Sequence, residues 1–232
     1  MQAQVAHHAG FFPTVDHTGT LTDKLDYSLY YFGAVNALNS EVNGSNESAH
    51  LFAFYAEQAL TYKLNAQWSL TGSYVYERQR PFQDAYRNEN RAYIQLQNKY
   101  QVGKSTIKHR LRYDARFIEN RLLDETNFTS RIRYLLGWKT ALKNEKYYFN
   151  AYNEFFFNTF KSSTAIYGEN WAYAAVGKTV NERHSFELGP LYIFWVNSNR
   201  NELKNFYYLQ FSWNSYIDFR KKKGTDEAKI TG

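Results

Sequence analysis

Lys108, Arg110, Arg112 and Arg116 alternate along one stretch of the chain with Asp114 among them, and Arg131 and Arg133 repeat the spacing in the next stretch. Side chains of this kind, fixed on one wall, either lock into ion pairs with acids or form a cationic ring that favours anions. Glu77, Arg91 and Glu154 occupy matching positions in flanking segments. If these segments are hairpin-linked strands, Glu77 comes near Arg91, Arg91 near Asp114, Arg112 near Arg131, and Arg131 near Glu154. Each register is free to slip by two residues. Two readings follow. In the first, a structural network fills a narrow lumen. In the second, the basic residues outnumber Asp114 and form a constriction that prefers anions.

Other chemistry is harder to assemble. His109 and Ser130 face the same way on adjacent segments, about four residues apart along the sheet, on the order of 13 Å. A nucleophile and its base must be within hydrogen-bond reach, so they do not make a lipase pair. Asp84, Asp124, Glu125 and His50 are the candidates for a protease at a barrel rim, but no spacing links His50 to an acid. His7, His8 and His17 lack the carboxylate or cysteine neighbours of a metal site, and the chain has no cysteine. Isolated glycines form no phosphate loop or dinucleotide fingerprint. The expectation is a protein that is not an enzyme and has no metal or cofactor.

The elements that must carry these residues have period two almost throughout. Ile107, His109, Leu111, Tyr113, Ala115 and Phe117 share one face, and the charged set shares the other. Neighbouring segments repeat the pattern. Ten strands are expected, at roughly 21–37, 50–64, 67–79, 89–101, 105–117, 126–140, 146–158, 168–180, 184–197 and 204–219. Short connections near 65–67, 102–104, 143–145 and 181–183 alternate with longer ones near 38–49, 80–88, 118–125, 159–167 and 198–203. Alternating loop lengths, with one apolar and one polar face per strand, mark an all-β, antiparallel up-and-down transmembrane β-barrel of about 10 strands. An even count puts both termini on the periplasmic side of a bacterial outer membrane. Pro190 falls inside a strand, where it removes a ladder donor and predicts a bulge or weakened pairing.

Composition agrees. Tyr 21, Phe 18 and Trp 5 make 19% of the 232 residues, yet 22% are charged and the mean hydropathy is −0.65. No apolar run approaches the roughly 18 residues of a transmembrane helix. The net charge of +6 alternates with apolar residues and forms no helical stripe, which argues against nucleic acid as a partner. Aromatic residues gather at strand ends. Tyr62, Trp68, Tyr100, Trp138 and Tyr147 flank the short turns, and Tyr76, Phe117, Phe128, Phe157 and Trp195 lie towards the long loops. Together they are expected to form membrane-interface girdles. Residues 1–20 read as a periplasmic N-terminal lead or plug, 21–219 as the barrel and 220–232 as a polar tail. The first residues, Met1 to Val5, read as a mature or engineered start from which an export signal has gone.

The phrases LTYKLNAQWSLTGSYVYE, KHRLRYDARF and RIRYLLGWKTAL, in that order, resemble a family of small outer-membrane barrels known as domain of unknown function 2490. The resemblance spans roughly residues 50–219. It implies the barrel and the outer membrane, with lipid outside and the barrel-assembly machinery as a transient partner. No activity follows from it. Tyr216, Ile217 and Phe219 are the residues expected to act as the assembly signal, ahead of the hydrophilic tail. The expected role is a non-enzymatic structural or accessory component of an outer-membrane complex, with Phe82, Tyr86 and Tyr167 as loop contacts for partner proteins. A narrow anion-preferring channel is the alternative, and an outer-membrane hydrolase a weaker one.

Overall fold

In the computed structural model, residues 4–40, 48–120, 124–144, 146–160, 167–197 and 202–220 are described. They form eleven strands: β1 (Gln4–Thr20), β2 (Leu25–Ser40), β3 (His50–Lys63), β4 (Trp68–Gln79), β5 (Arg87–Val102), β6 (Ser105–Asn120), β7 (Glu125–Ala141), β8 (Tyr147–Phe160), β9 (Tyr167–Asn181), β10 (His184–Val196) and β11 (Glu202–Asp218). Each pairs antiparallel with its sequence neighbours, and β1 pairs with β11 to close the barrel. No helix is among the described elements.

The eleventh strand is the segment expected to be a lead. Residues 4–20 alternate as the rest do: Phe12 and Thr14 are buried inside, while Phe11 and Pro13 are exposed. Gly10, Pro13 and Gly19 interrupt the β-propensity of that stretch and hide its period in the sequence. Closure by an odd strand makes the seam parallel, with Gln4 opposite Glu202 and Thr20 opposite Asp218. The chain therefore enters the barrel at the long-loop rim and leaves it at the short-turn rim. The expectation that both termini share one side rested on an even count and does not hold.

Local chemistry fixes the short turns. Asn65 Oδ1 accepts the N–H groups of Gln67 and Trp68 at 2.9 and 2.8 Å, and Asn181 Oδ1 accepts those of Arg183 and His184 at 2.9 Å each. An asparagine side chain closing the backbone two and three residues on is an Asx turn, which reverses the chain in few residues. Gly103 supplies the same reversal with φ +59°, a conformation open to glycine. The loops at the other rim fall largely at 41–47, 121–123, 161–166 and 198–201, outside the described residues, as does the tail beyond Arg220.

Both barrel prolines sit where one ladder lapses. Pro13 pairs with Phe211 on β11 but has no partner on β2, and Pro190 pairs with Leu209 on β11 but has none on β9. The weakened pairing expected at Pro190 is present, without a register shift at that point.

Inside, the barrel has two unlike walls. Phe12, Phe32, Tyr55, Phe206 and Tyr208 form an apolar cluster on β1, β2, β3 and β11. Phe12 and Tyr55 each lie 4.5 Å from Phe32, and Trp171 reaches over from β9 to meet Phe12 edge-on at 5.8 Å. Pairs of this geometry contribute about 0.5–1.5 kcal/mol beyond the area they bury. Tyr208 donates a 2.6 Å hydrogen bond to Asn36 Oδ1, both groups being buried. Tyr208→Phe strands that acceptor, and a loss of about 1–3 kcal/mol is expected in urea unfolding of the refolded barrel. An unchanged midpoint would mean that water reaches Asn36.

Candidate functional site: the charged waist of the lumen

The second wall is charged. On β5, Glu89, Arg91, Tyr93, Gln95, Gln97 and Lys99 share the inward parity; on β6, Lys108, Arg110, Arg112, Asp114 and Arg116 do; on β7, Arg131, Arg133 and Lys139. Period two alone aims them at the lumen. Near mid-strand, Asp114 stands opposite Arg131 across the β6–β7 ladder, and Arg112 opposite Arg133.

Asp114 is the hub, with 0% of its side chain exposed. It accepts from Arg112 Nε at 2.6 Å and from Arg131 Nε at 2.8 Å, and Arg133 Nη1 lies 3.8 Å away. Glu154 on β8 takes a two-pronged bond from Arg133 at 2.7 and 2.9 Å and a third contact from Arg110 at 2.6 Å. Glu89 holds Arg116 the same way at 2.7 and 2.6 Å and also accepts from Arg91 Nε at 2.7 Å. Arg91 reaches Glu77 at 3.1 Å. At the edges, Arg112 lies 3.6 Å from Glu57 and Arg131 lies 3.3 Å from Glu169. The Arg112 guanidinium also stacks 3.4 Å over the Tyr93 ring, and the Tyr93 hydroxyl donates to Glu57 at 2.6 Å.

Of the expected neighbours, Glu77 and Arg91 make an ion pair. The β6–β7 pairing is slipped by two, so Arg112 meets Arg133 while Arg131 meets Asp114. Arg91 binds Glu89 and Glu77 rather than Asp114, and Glu154 binds Arg133 and Arg110 rather than Arg131. Glu57, Glu89 and Glu169 went unnoticed in the sequence, although Glu89 has the same parity as Arg91 and was there to be found. They change the electrostatics. Six arginines (91, 110, 112, 116, 131, 133) face six acids (57, 77, 89, 114, 154, 169) within ion-pair reach. The waist is balanced, not cationic. A guanidinium fork already matched to a carboxylate has little left to offer a passing anion.

The waist does not fill the lumen. A cavity of about 1500 Å³ is lined by Tyr86 and Trp195 towards the long loops and by Thr106 and Tyr216 towards the short turns. Trp195, expected on the outer girdle, shares its parity with Leu191 and Ile193 and packs against the inner cluster. The other nine aromatic residues of the expected girdles keep the outward parity. Tyr62, Trp68, Tyr100, Phe117, Trp138 and Tyr147 are exposed, and Phe117 and Phe128 pack 5.2 Å apart. Tyr76 donates to Asn88 at 2.9 Å, and Phe157 lies 6.1 Å from Tyr167.

The catalytic candidates stay apart. Ser130 faces Ala115 and His109 faces Leu136, which places them six positions apart along β7, about 20 Å at strand rise. His109 shares a 2.8 Å hydrogen bond with Tyr134, and Ser130 one of 2.9 Å with Thr159. Of the β1 histidines, His7 is exposed, His8 is buried against Phe206, and His17 lies near the far rim between Ser215 and Tyr27. Among the described residues, no three His, Asp or Glu side chains gather to hold a metal ion. At the end of β11, Phe219 donates its N–H to Thr20 at 2.9 Å and Tyr216 shares a 2.9 Å bond with the Thr20 hydroxyl, tying the last strand to the first turn.

No curated protein matches the chain. A family model described as "Protein of unknown function (DUF2490)" matches residues 17–204, which run from the end of β1 to the start of β11 and include the whole charged waist. The chain belongs to that family of unknown function, DUF2490.

Proposed function

We propose that this barrel sits in a bacterial outer membrane as a non-enzymatic structural or accessory component, with its long loops outside and its short turns in the periplasm. The outer wall carries the proposal. Ile94 and Leu96 on β5 are exposed at mid-strand beside Tyr113 and Leu111 on β6, and Leu209 and Phe211 are exposed at the same level on β11, elsewhere round the wall. A continuous apolar belt of this kind is costly in water and favourable in hydrocarbon. Tyr and Trp at both strand ends suit the two interfaces of such a belt. Tyr216, Ile217 and Phe219 are then the signal read by the assembly machinery.

Partner proteins are expected at the long loops. Phe82 is 87% exposed there, whereas Tyr86 lies under the Arg78 guanidinium at 3.8 Å and Tyr167 stacks on Phe194. Phe82 is thus the contact residue this reading prefers.

The cavity supports a second reading, a narrow channel. Its selectivity has to come from outside the neutralised waist. Planar-bilayer conductance of the refolded barrel separates the two. A folded barrel that stays silent is the result expected for a scaffold. Steady openings would overturn the scaffold and establish the channel.

A further inference from the structure

Towards the short turns, the lumen holds charge that the waist network does not use. Lys99, Lys108 and Lys139 line the cavity there from β5, β6 and β7. Lys99 stands directly across the ladder from Lys108. Lys139 is one diagonal step from Lys108, because Lys108 faces Gly137 and Thr106 faces Lys139. Opposed side chains of a ladder lie about 5 Å apart at Cβ and diagonal ones about 7–8 Å, and like charges so placed repel. None of the three makes an ion pair among the described residues. Lys139 Nζ lies 3.7 Å from the centre of the Tyr148 ring.

Gly137 belongs to the same arrangement. A Cβ at that position would come within 3.2 Å of Lys108 Cε, so glycine leaves room for the lysine stem to lie along β7. The acids Asp16 and Glu187 line the cavity from the far side, on β1 and β10. Glu187 already accepts from Asn150 at 2.9 Å and from Tyr173 at 3.1 Å. The field across this vestibule therefore points a negative ligand at the lysine wall.

The kind of free cation narrows the ligand. Every arginine of the waist already has a carboxylate, so its fork is not free for a further anion. What remains is three compact ammonium groups, each with three rotatable donors, and the Gln97 amide on the same wall. A tetrahedral oxyanion uses such donors well. We propose that the vestibule is a binding site for a soluble phosphate group, held by Lys99, Lys108 and Lys139 and reached through the mouth ringed by the short turns. Bilayer headgroups meet the outer wall and cannot supply it. The site needs only the closed barrel, so it stands or falls apart from the membrane reading.

Inorganic phosphate titrated calorimetrically into the refolded full chain, in non-ionic detergent at low ionic strength, tests the proposal. Saturable binding with Kd on the order of 1 mM is expected, weakened at least about tenfold in the double variant Lys108→Gln, Lys139→Gln. Lys24→Gln removes an exposed cation of the turn between β1 and β2, at the same rim but outside the cavity lining, and should leave binding unchanged. If the double variant does not fold, Lys99→Gln alone should weaken binding about threefold. Absence of saturable binding to the unaltered chain, equal binding of chloride, or equal losses from K24Q and the double variant would each overturn the site.

Discussion

Asp114→Asn is expected to lower the unfolding free energy of the refolded barrel by about 3–5 kcal/mol, the usual cost of removing one partner from a buried ion pair. The substitution keeps size and shape and deletes only the charge. Arg112, Arg131 and Arg133 then lose their common acid in a place where Asp114 itself is 0% exposed. Each keeps one further acid, Glu57, Glu169 and Glu154 respectively, which sets the loss nearer the lower figure. With a urea slope of about 2 kcal/mol per M, the midpoint should fall by roughly 1.5 M. Glu77→Gln is the contrast, since Glu77 makes one ion pair, at 3.1 Å, and is partly exposed. It should cost less than about 1 kcal/mol. A loss below that for D114N as well would mean that water in the cavity screens the waist, and that the network does not lock the lumen.

The second large effect belongs to the opposite face of the wall. Leu209 lies at the middle of β11, opposite Phe11 and Pro190, and is 45% exposed. Leu209→Arg should destabilise the barrel in lipid vesicles by about 2–4 kcal/mol, the cost of an arginine at the bilayer midplane. On a surface that faces water the same change stays within about 0.5 kcal/mol. Urea unfolding from vesicles, followed by tryptophan fluorescence, decides between them. A shift within the smaller figure would remove the membrane reading while leaving the barrel and its lumen intact.

Most of the barrel was legible because one number, the period of two, governs both walls. Strands β2 to β11, the Asn and Gly short turns and the outward aromatic residues follow from alternation and turn chemistry. What escaped did so for identifiable reasons. In β1, two glycines and a proline break the pattern, and its partners are β2 and a strand almost two hundred residues away. Local sequence carries no trace of such a pairing. Trp195 was assigned by residue type and height rather than parity, and parity turned it inward. At the waist, the charged residues were visible but their partners were not. A two-residue slip in register exchanged Arg131 for Arg133 opposite Arg112. Two of the acids that neutralise the arginines, Glu57 on β3 and Glu169 on β9, come from strands not adjacent to their partners, because a closed lumen lets side chains meet beyond the neighbouring strand.

The parallel seam between β1 and β11 also gives the molecule a direction. A barrel with an even number of strands is a set of complete hairpins, and the chain returns to the side from which it set out. Here one strand is left over, and it is a one-way crossing. In a bilayer, the first residue of β1 and the last of β11 would face different compartments. β1 returns on its hairpin partner β2, but closing the ring sets it beside β11 running the same way, so the count of crossings stays odd. Sequences joined to the two ends of this barrel would never share a solvent, and the barrel would work as a fixed conduit of chain from one side to the other.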